Sequence, residues 1–450
     1  MGKSYSIEDD KQKLYVVLSE WFNSGVPEDL KERHIMPHEI PENVAFVLCG
    51  VRRSGKTYLM FEFAQRLRKK NYLYNVIYLN LEDVRLHPLR PSLLLLLPEV
   101  IKEYFEYKRN VPFWFIFDEI QYLDGWERII RNYLDRNLGY VLLTGSSSAV
   151  SPDGIAESMR GRTLTKFIYP LSFPEFVKFK GLKIPKKIDL LTSEEKASLL
   201  KLGREYLEFG GFPGVVLCKD KNLKKPMLRD IYRTIFFRDI VDRFSIRNLE
   251  LMETFMRILM EQFSSRFSIS KIHTFLKKTL GMKTTKNTLQ EYLYYIKSAF
   301  IAFEVEIFSY KLKDRLQYPR KLYLIDTGLA NAINIRFTEN LGRLLENAVF
   351  LELIRKEKEV FYWKSKNGEE VDFVIVENFK PVELIQVCWE LTEKNIKREE
   401  KALIKCMNEF SLKEGKVITW DHEERKKEGD KWIEYVPFWK WCFKNKGKRN

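Results

Sequence analysis

One stretch near the amino terminus has the residue types and spacing of a phosphate-binding loop. The sequence Gly50-Val-Arg-Arg-Ser-Gly-Lys-Thr57 follows an apolar run at 43–49 and leads into helix-forming sequence. A strand, a glycine loop and a helix N-terminus in this order place successive backbone N–H groups around a phosphate. Lys56 is expected to reach the β- and γ-phosphate oxygens, and the Thr57 hydroxyl is expected to bind Mg²⁺. The predicted nucleotide contacts of this loop are Gly50, Val51, Arg52, Arg53, Ser54, Gly55, Lys56, Thr57 and Tyr58.

A second apolar run, at 113–117, ends in the acids Asp118 and Glu119. A continuous apolar run is typical of a central parallel strand, and ligands of open α/β sheets bind at the carboxyl ends of such strands. We expect Asp118 to hold the Mg²⁺ shell and Glu119 to orient and deprotonate an attacking water. Two acids after a strand are ordinarily a solvated turn, but a phosphate loop upstream favours the catalytic interpretation.

Hydroxyl and guanidinium groups downstream complete this predicted site. The run at 139–146 ends in Ser146, the expected sensor of the γ-phosphate, with Thr144 as the alternative. Arg162 stands just before a last strand predicted at 166–171. A guanidinium suits the charge of a phosphoryl-transfer transition state, so Arg162 is a candidate catalytic residue acting in its own chain or on a neighbouring copy. The alternative is a solvated basic turn.

Composition favours a soluble cytoplasmic protein with a polyanionic partner. The chain has 450 residues, 45% of them hydrophobic and 31% charged, with a formal net charge of +15. The longest leucine cluster, at 93–97, is too short to cross a bilayer, so no membrane association is expected. The five cysteines show no metal-binding spacing, which favours reduced thiols. The excess of positive charge, which continues into the tail at 444–450, favours DNA as a partner.

The alternation of strand and helix patterns predicts an α/β protein built of several segments. A helical lead-in at 1–42 precedes a parallel-sheet core at 43–171, and a helical lid at 172–245 contains the rigid loop Phe209-Gly-Gly-Phe-Pro-Gly214. A winged helix-turn-helix is predicted at 246–335, and a smaller α/β domain at 336–450.

The winged segment has the features of a DNA-binding surface. Helices are predicted at 270–278 and 285–297, followed by a β hairpin. Between 264 and 297 seven lysines and arginines stand against one acid, Glu291, a net charge of +6. The second helix would present Lys283, Lys286, Asn287 and Gln290 to a DNA groove. Winged domains also dock proteins, which remains the alternative.

The last segment has part of a metal-dependent nuclease pattern. A helix carrying Glu346 and a strand carrying Asp372 resemble the way in which restriction-endonuclease-like folds bind a divalent metal. Because side chains alternate along a strand, Leu384 and Gln386 share one face of the next strand. If Gln386 holds the usual lysine position, leucine replaces the expected carboxylate. Glu346 and Asp372 alone would then bind Mg²⁺ weakly.

Taken together, these motifs resemble the archaeal ATPase family of AAA-type P-loop ATPases. The resemblance rests on the loop at 50–57, on Phe117-Asp-Glu-Ile-Gln121, on Leu143-Thr-Gly-Ser-Ser-Ser148, on Gly161-Arg162 and on Pro170-Leu-Ser-Phe-Pro-Glu-Phe176, with the Glu346 and Asp372 module at the end. It implies ATP and Mg²⁺ as cofactors, ATP hydrolysis, and a winged-helix segment and a restriction-endonuclease-like domain after the ATPase.

Three functions agree with these observations. The first is an Mg²⁺-dependent ATPase that repositions a DNA-binding winged helix and a nuclease-like domain. The second is a nucleotide-dependent switch that docks protein partners, and the third is an ATP-gated nuclease. Assembly of several copies would also suit an arginine that acts between chains.

Overall fold

The computed structural model describes residues 7–37, 39–70, 72–146, 150, 159, 161–183, 188–333 and 341–444. It divides into two compact units, Met1–Ile168 and Tyr169–Asn450. Ser147 and Ser148, which belong to one of the motifs above, lie outside the described residues, as does the basic tail at 445–450.

The first unit is built on a five-stranded sheet of order β2-β3-β4-β1-β5, in which all neighbouring strands are parallel. Its elements are α1 (Ile7–Ser24), β1 (Ala45–Cys49), α2 (Lys56–Arg68), β2 (Val76–Asn80), α3 (Pro91–Tyr104), β3 (Phe113–Asp118), α4 (Trp126–Asp135), β4 (Gly139–Gly145) and β5 (Thr163–Phe167). Every residue of β1 is buried, as expected for a central strand covered on both faces. The predicted parallel α/β sheet is confirmed.

Strand β5 begins before the strand predicted at 166–171. Its register with β1 runs from Ala45 opposite Thr163 to Cys49 opposite Phe167. Ile168 follows the last paired residue, and its N–H donates to the Cys49 carbonyl oxygen at 2.7 Å. Backbone pairing with β1 therefore sets the bounds of this strand, and hydrophobicity alone does not.

The second unit contains three groups of elements. Helices come first: α5 (Phe173–Phe179), α6 (Ser193–Phe209), α7 (Pro213–Leu217), α8 (Lys221–Thr234), which continues as a π-helix (Ile235–Asp242), and α9 (Leu249–Glu261). A small mixed segment follows: β6 (Ser265–Phe267), α10 (Ile269–Lys278), α11 (Lys286–Ser298), β7 (Ala302–Val305), α12 (Leu312–Gln317), β8 (Arg320–Leu324) and α13 (Thr327–Ile333). The last group is α14 (Leu341–Ile354), β9 (Glu359–Lys364), β10 (Glu370–Glu377), β11 (Lys380–Cys388), α15 (Glu393–Glu409), β12 (Glu414–Thr419), β13 (Glu424–Glu428), β14 (Lys431–Pro437) and α16 (Phe438–Lys444).

Two sheets organise this unit. The three-stranded sheet is antiparallel and has the order β6-β8-β7. The strand that comes last in the sequence, β8, therefore lies in the middle. The six-stranded sheet has the order β13-β14-β12-β11-β10-β9, with β11, β12 and β14 parallel to one another and the other pairs antiparallel. The C-terminal segment is therefore a mixed-sheet domain.

The glycine loop at 209–214 is held by a buried carboxylate. Asp326, just after β8, accepts hydrogen bonds from the backbone N–H of Gly211 at 2.6 Å and of Gly328 at 2.9 Å. Gly210 has a φ of +72°, and a Cβ there would lie 1.9 Å from Asp326 Oδ1. Burial raises the pKa of Asp326 to about 7, although the N–H donors lower it. The loop is therefore fixed within the second unit.

Among the described residues, none of the helices is long and apolar enough to cross a bilayer.

Candidate nucleotide site

The glycine loop follows β1 directly and has the backbone shape that a phosphate cradle needs. Gly50 has a φ of +151° and Gly55 a φ of +96°, both unfavourable for a residue with a side chain. A Cβ on Gly50 would lie 2.3 Å from the carbonyl oxygen of Ile168. Gly55 is the N-cap of α2, which starts at Lys56. The loop therefore leads straight into a helix N-terminus, whose free N–H groups favour an anion.

Lys56 is buried inside this loop, with 3% of its side chain exposed. Its ammonium donates hydrogen bonds to the carbonyl oxygens of Gly50 at 3.0 Å and Val51 at 3.1 Å. It also lies 4.0 Å from Glu119 Oε1. The positive charge is thus placed between the loop and the acid at the end of β3.

Asp118 is held by three hydroxyl groups. Its Oδ2 accepts hydrogen bonds from Thr57 Oγ1 at 2.7 Å and from the Tyr78 hydroxyl at 2.9 Å, and its Oδ1 accepts one from Thr144 Oγ1. Burial and the charge of Glu119 raise the pKa of Asp118, while the three hydrogen bonds act in the opposite direction. The hydroxyl groups therefore orient this carboxylate and favour its charged form.

Glu119 stands at the carboxyl end of β3 with a φ of +54°, a rare backbone conformation for such a residue. Its N–H donates to Thr144 Oγ1 at 2.9 Å, which makes Thr144 a link between both acids. Gln121 donates a hydrogen bond from Nε2 to the Glu119 carboxylate and another to Ser146 Oγ at 3.3 Å. Burial raises the pKa of Glu119, but the charge of Lys56 and the bond from Gln121 bring it below its ordinary value. Glu119 is therefore ionised at neutral pH, as a base must be.

The other predicted loop residues differ in their surroundings. Ser54 is fully buried, and its carbonyl oxygen accepts a hydrogen bond from the Arg33 guanidinium at 3.0 Å. Arg52 pairs with Glu82 at 3.2 Å. Tyr58 faces outward, with 53% of its surface exposed. Arg53 has a φ of +64° at the tip of the loop.

Arg162 does not lie near the glycine loop and the two acids. The Ala45 N–H donates to the Arg162 carbonyl oxygen at 3.0 Å, so Arg162 lies at the amino end of β1 and β5. The glycine loop follows the opposite end, about 16 Å away along a five-residue strand. The Arg162 guanidinium pairs instead with Asp135, beside a pocket of about 370 Å³ lined also by Arg128, Arg131 and Asn132. Strand direction therefore argues against action on the nucleotide of the same chain.

The predicted DNA contacts all lie on one surface of the second unit. Lys286, Asn287 and Gln290 are exposed in the first turns of α11, and Lys283 is exposed in the preceding loop. The structure thus brings these four residues together. It contains no nucleic acid with which to test them.

Glu346 and Asp372 also come together, but around a lysine. Lys321 Nζ lies 3.0 Å from Glu346 Oε1 and 2.8 Å from Asp372 Oδ1. Gln386 is buried and accepts a hydrogen bond from the Asp372 N–H at 3.1 Å. Glu383 pairs with Lys416. Gln386 therefore lies next to the backbone of Asp372 on the neighbouring strand.

Four side chains at these sites were missed by the sequence analysis. Tyr78, Gln121, Arg33 and Lys321 reach their partners only through tertiary contacts. Gln121 lies two residues after Glu119 in the motif Phe117-Asp-Glu-Ile-Gln121, so the sequence itself could have indicated its contact with that acid. The other three are separated from their partners by long stretches of chain, and no local pattern marks them.

The donors at the first site fit a nucleotide with Mg²⁺. Thr57 Oγ1 and Asp118 Oδ2 lie 2.7 Å apart, and hydroxyl and carboxylate oxygens are the ligands that Mg²⁺ prefers. Lys56 and the N–H groups of the glycine loop supply the complementary charge for phosphate oxygens. The site therefore matches the chemistry predicted from its motifs.

Family comparisons agree with this assignment. Residues 42–177 match the family described as AAA domain. Residues 200–340 and 341–441 match two domains of unknown function, DUF8612 and DUF4143. The parallel sheet, the glycine loop and the acid pair, together with the first match, identify residues 42–177 as an AAA-type P-loop domain.

The chain is similar over most of its length to other proteins. It is 40% identical over 412 residues to the uncharacterized protein MJ1544 of Methanocaldococcus jannaschii, covering 89% of this chain and 88% of that protein. It therefore belongs to the same family as MJ1544. An uncharacterized protein of Haemophilus influenzae is 27% identical over 348 residues, covering 77% of this chain and 83% of the relative.

Two solved structures have similar segments. The Aeropyrum pernix ORC1 protein in complex with DNA has a TM-score of 0.30 and 15% identity, covering 72% of this chain and 91% of that one. AMPPCP-bound DnaA from Aquifex aeolicus has a TM-score of 0.25 and 16% identity, covering 66% and 92%. TM-scores of this size carry no argument about function.

The hydroxyl groups around Asp118 predict the effect of Tyr78→Phe. This change removes one donor from the carboxylate, so the pKa of Asp118 should rise and the acidic limb of the kcat/KM profile should move to higher pH. We expect kcat/KM for Mg²⁺-ATP at neutral pH to fall about tenfold, since a hydrogen bond to a charged group contributes about 1.5 kcal/mol or more. The matched control is Tyr140→Phe, which removes a hydroxyl on β4 that bonds Glu42 in the turn before β1. An unchanged pH profile would contradict the role given to Tyr78.

Proposed function

We propose that this protein is an Mg²⁺-dependent ATPase in which Glu119 activates the attacking water. The observation that carries the proposal is the position of Glu119 at the carboxyl edge of the sheet, 4.0 Å from Lys56 and next to the hydroxyl-bound Asp118. A base, a phosphate-binding cation and a metal-binding acid thus stand at one helix N-terminus. These are the groups that phosphoryl transfer to water requires.

Each residue has a defined task in this reaction. Glu119 accepts a proton from water as the water oxygen bonds to the γ-phosphorus and the bond to the β–γ bridging oxygen breaks. Lys56 stabilises the negative charge on the phosphate oxygens, and the loop N–H groups bind the β-phosphate. Thr57 and Asp118 would hold Mg²⁺, which neutralises phosphate charge when bound. Ser146 contacts the γ-phosphate, and Gln121 positions Glu119.

The proposal predicts the behaviour of Glu119→Gln. The amide cannot accept the proton, so ATP hydrolysis should fall at least about 100-fold, while ATP and ADP remain bound. Phosphate release and nucleotide affinity should be measured on the same preparation. Glu127→Gln, an acid in the first turn of the neighbouring α4, is the control and should keep full activity. Unchanged hydrolysis by Glu119→Gln would exclude Glu119 as the base.

We propose further that Arg162 acts on the nucleotide of a neighbouring copy. The support is its place at the sheet edge opposite the glycine loop of its own chain, next to two further arginines of α4. A guanidinium supplied between chains can stabilise the transition state of an adjacent site. This action requires a homo-oligomer.

Mixing two impaired variants tests action between chains. Arg162→Ala should lose roughly a thousandfold in kcat, as arginine removal does in related chemistry. A mixture of Arg162→Ala and Glu119→Gln should regain part of the wild-type rate, because one chain then contributes the arginine and the other the base. Arg136→Ala, an exposed arginine at the end of α4, is the control. Full activity of Arg162→Ala alone would show that Arg162 is a solvated surface residue with no role in hydrolysis.

We propose that the ATPase is coupled to DNA through the segment containing α10 and α11. Helix α9, β6, α10, α11, β7 and β8 follow the order of a winged helix-turn-helix, and their sheet has the last strand in the middle. Lys283 and Lys286 are exposed at the start of the second helix of the pair, where a groove-reading helix presents its side chains. The net charge of the segment supports a polyanion as partner.

The DNA proposal predicts a salt-dependent affinity that depends on two lysines. Lys283→Ala with Lys286→Ala should weaken binding to duplex DNA and reduce the slope of log K against log salt by about two, since each phosphate contact contributes about one. Lys221→Ala with Lys225→Ala removes the same charge from exposed positions of α8 and should leave the slope nearly unchanged. Absence of any salt-sensitive affinity would favour the protein-docking switch.

A further inference from the structure

Lys321 is a buried cation surrounded by three carboxylates. It lies on β8 with 3% of its side chain exposed. Its Nζ is 3.0 Å from Glu346 Oε1 on α14, 2.8 Å from Asp372 Oδ1 and 2.8 Å from Glu370 Oε1, both on β10. The ammonium donates hydrogen bonds to Glu346 and Asp372 and forms an ion pair with Glu370. The charge on Lys321 is therefore matched by groups from two other elements.

Asp372 and Glu370 also have protein partners at their other oxygens, and Glu346 Oε1 accepts a second hydrogen bond. The Tyr323 hydroxyl donates to Glu346 Oε1 at 2.7 Å, and the Val387 N–H donates to Asp372 Oδ2 at 3.0 Å. Arg266 on β6 pairs with Glu370 Oε2 at 3.2 Å. Two cations thus face three carboxylates. Burial of charged groups is costly unless they are paired and hydrogen-bonded, and here each carboxylate is bonded twice or more.

This donor set does not fit the divalent metal that a restriction-endonuclease-like fold would bind. The order α14, β9, β10, β11, α15, β12 agrees with such a fold, and Glu346 and Asp372 occupy its acidic positions. However, the oxygens that would face a metal face Lys321 Nζ. On β11, Leu384 replaces the third acid, and Gln386 is bonded to the Asp372 N–H and to Glu399. A divalent metal would therefore compete with Lys321 for Glu346 Oε1 and Asp372 Oδ1.

We propose that the Lys321 ammonium replaces the divalent cation of this site, so that the C-terminal domain does not cleave phosphodiesters there and instead fastens β8 to α14 and β10. The same strand has a second connection to α14. The Leu324 N–H donates to Asn347 Oδ1 at 2.8 Å, and Asn347 Nδ2 donates to the Leu324 carbonyl oxygen at 2.9 Å. Strand β8 is the middle strand of the three-stranded sheet, so the α10–α11 segment and the mixed-sheet domain move as one body. This inference is independent of the ATPase proposal.

Divalent-cation rescue of a lysine variant tests the replacement. In full-length Lys321→Ala without metal, the acids lose their partner, and the melting temperature should fall by roughly 5 °C or more. Mn²⁺ or Mg²⁺ should restore part of that loss in Lys321→Ala but not in Lys321→Ala with Asp372→Asn. Lys321→Met, which keeps the apolar stem in the site, should show no rescue. Lys416→Ala, which breaks the half-exposed pair with Glu383, is the control and should change little.

A second test compares metal binding by the wild-type protein with metal binding by Asp372→Asn, which leaves Lys321 in place. Without nucleotide, electron paramagnetic resonance of a Mn²⁺ titration should give the same bound Mn²⁺ for wild type and Asp372→Asn. A Mn²⁺ site in wild type that Asp372→Asn removes would overturn the proposal. So would Mg²⁺-dependent DNA cleavage that disappears in Asp372→Asn, or a melting temperature of Lys321→Ala that neither falls nor responds to Mn²⁺.

Discussion

The common direction of the strands in the first sheet is the constraint on which the nucleotide site depends. Because β1, β3 and β4 are parallel and adjacent, the glycine loop, the acid pair and Ser146 meet at one edge although long segments separate them. Thr144 then bonds both acids, and Thr57 and Tyr78 reach Asp118 from α2 and β2. The same constraint puts Arg162 at the opposite edge. One property of the sheet thus assembles the catalytic groups and separates the arginine from them.

The second unit is held together by buried charges rather than by apolar packing alone. Residues in and just after β8 supply two of its connections. Lys321 binds three carboxylates of the C-terminal segment, and Asp326 binds the loop at 209–214, between α6 and α7. Removing one partner of such a buried group leaves the other without compensation, so these contacts have few tolerated alternatives. The sequence predicts a lid, a winged helix and a nuclease-like domain as separate segments. In the structure, all three contact residues in or just after β8.

The accuracy of the sequence predictions follows from how local each signal is. The glycine loop and the apolar run before Asp118 are continuous in sequence, and both elements lie where they were predicted. The bounds of β5 differ, because they depend on backbone pairing with β1 rather than on the hydrophobicity of Ile168. Alternation along β11 predicted one face for Leu384 and Gln386, and Gln386 accepts a hydrogen bond from the Asp372 backbone. Nothing in the local pattern indicated that Lys321 would lie between the two acids expected to bind a metal.

The sequence by itself determined the class of chemistry. A glycine loop before a helix, and two acids after an apolar strand, specify phosphate binding and water activation through residue type and short spacing. Tertiary structure decided which groups support or prevent that chemistry, because those contacts join residues distant in the chain. It brought Tyr78 and Gln121 to the acids of the first site. Around Glu346 and Asp372 it brought in a lysine from another strand, which donates hydrogen bonds to both acids.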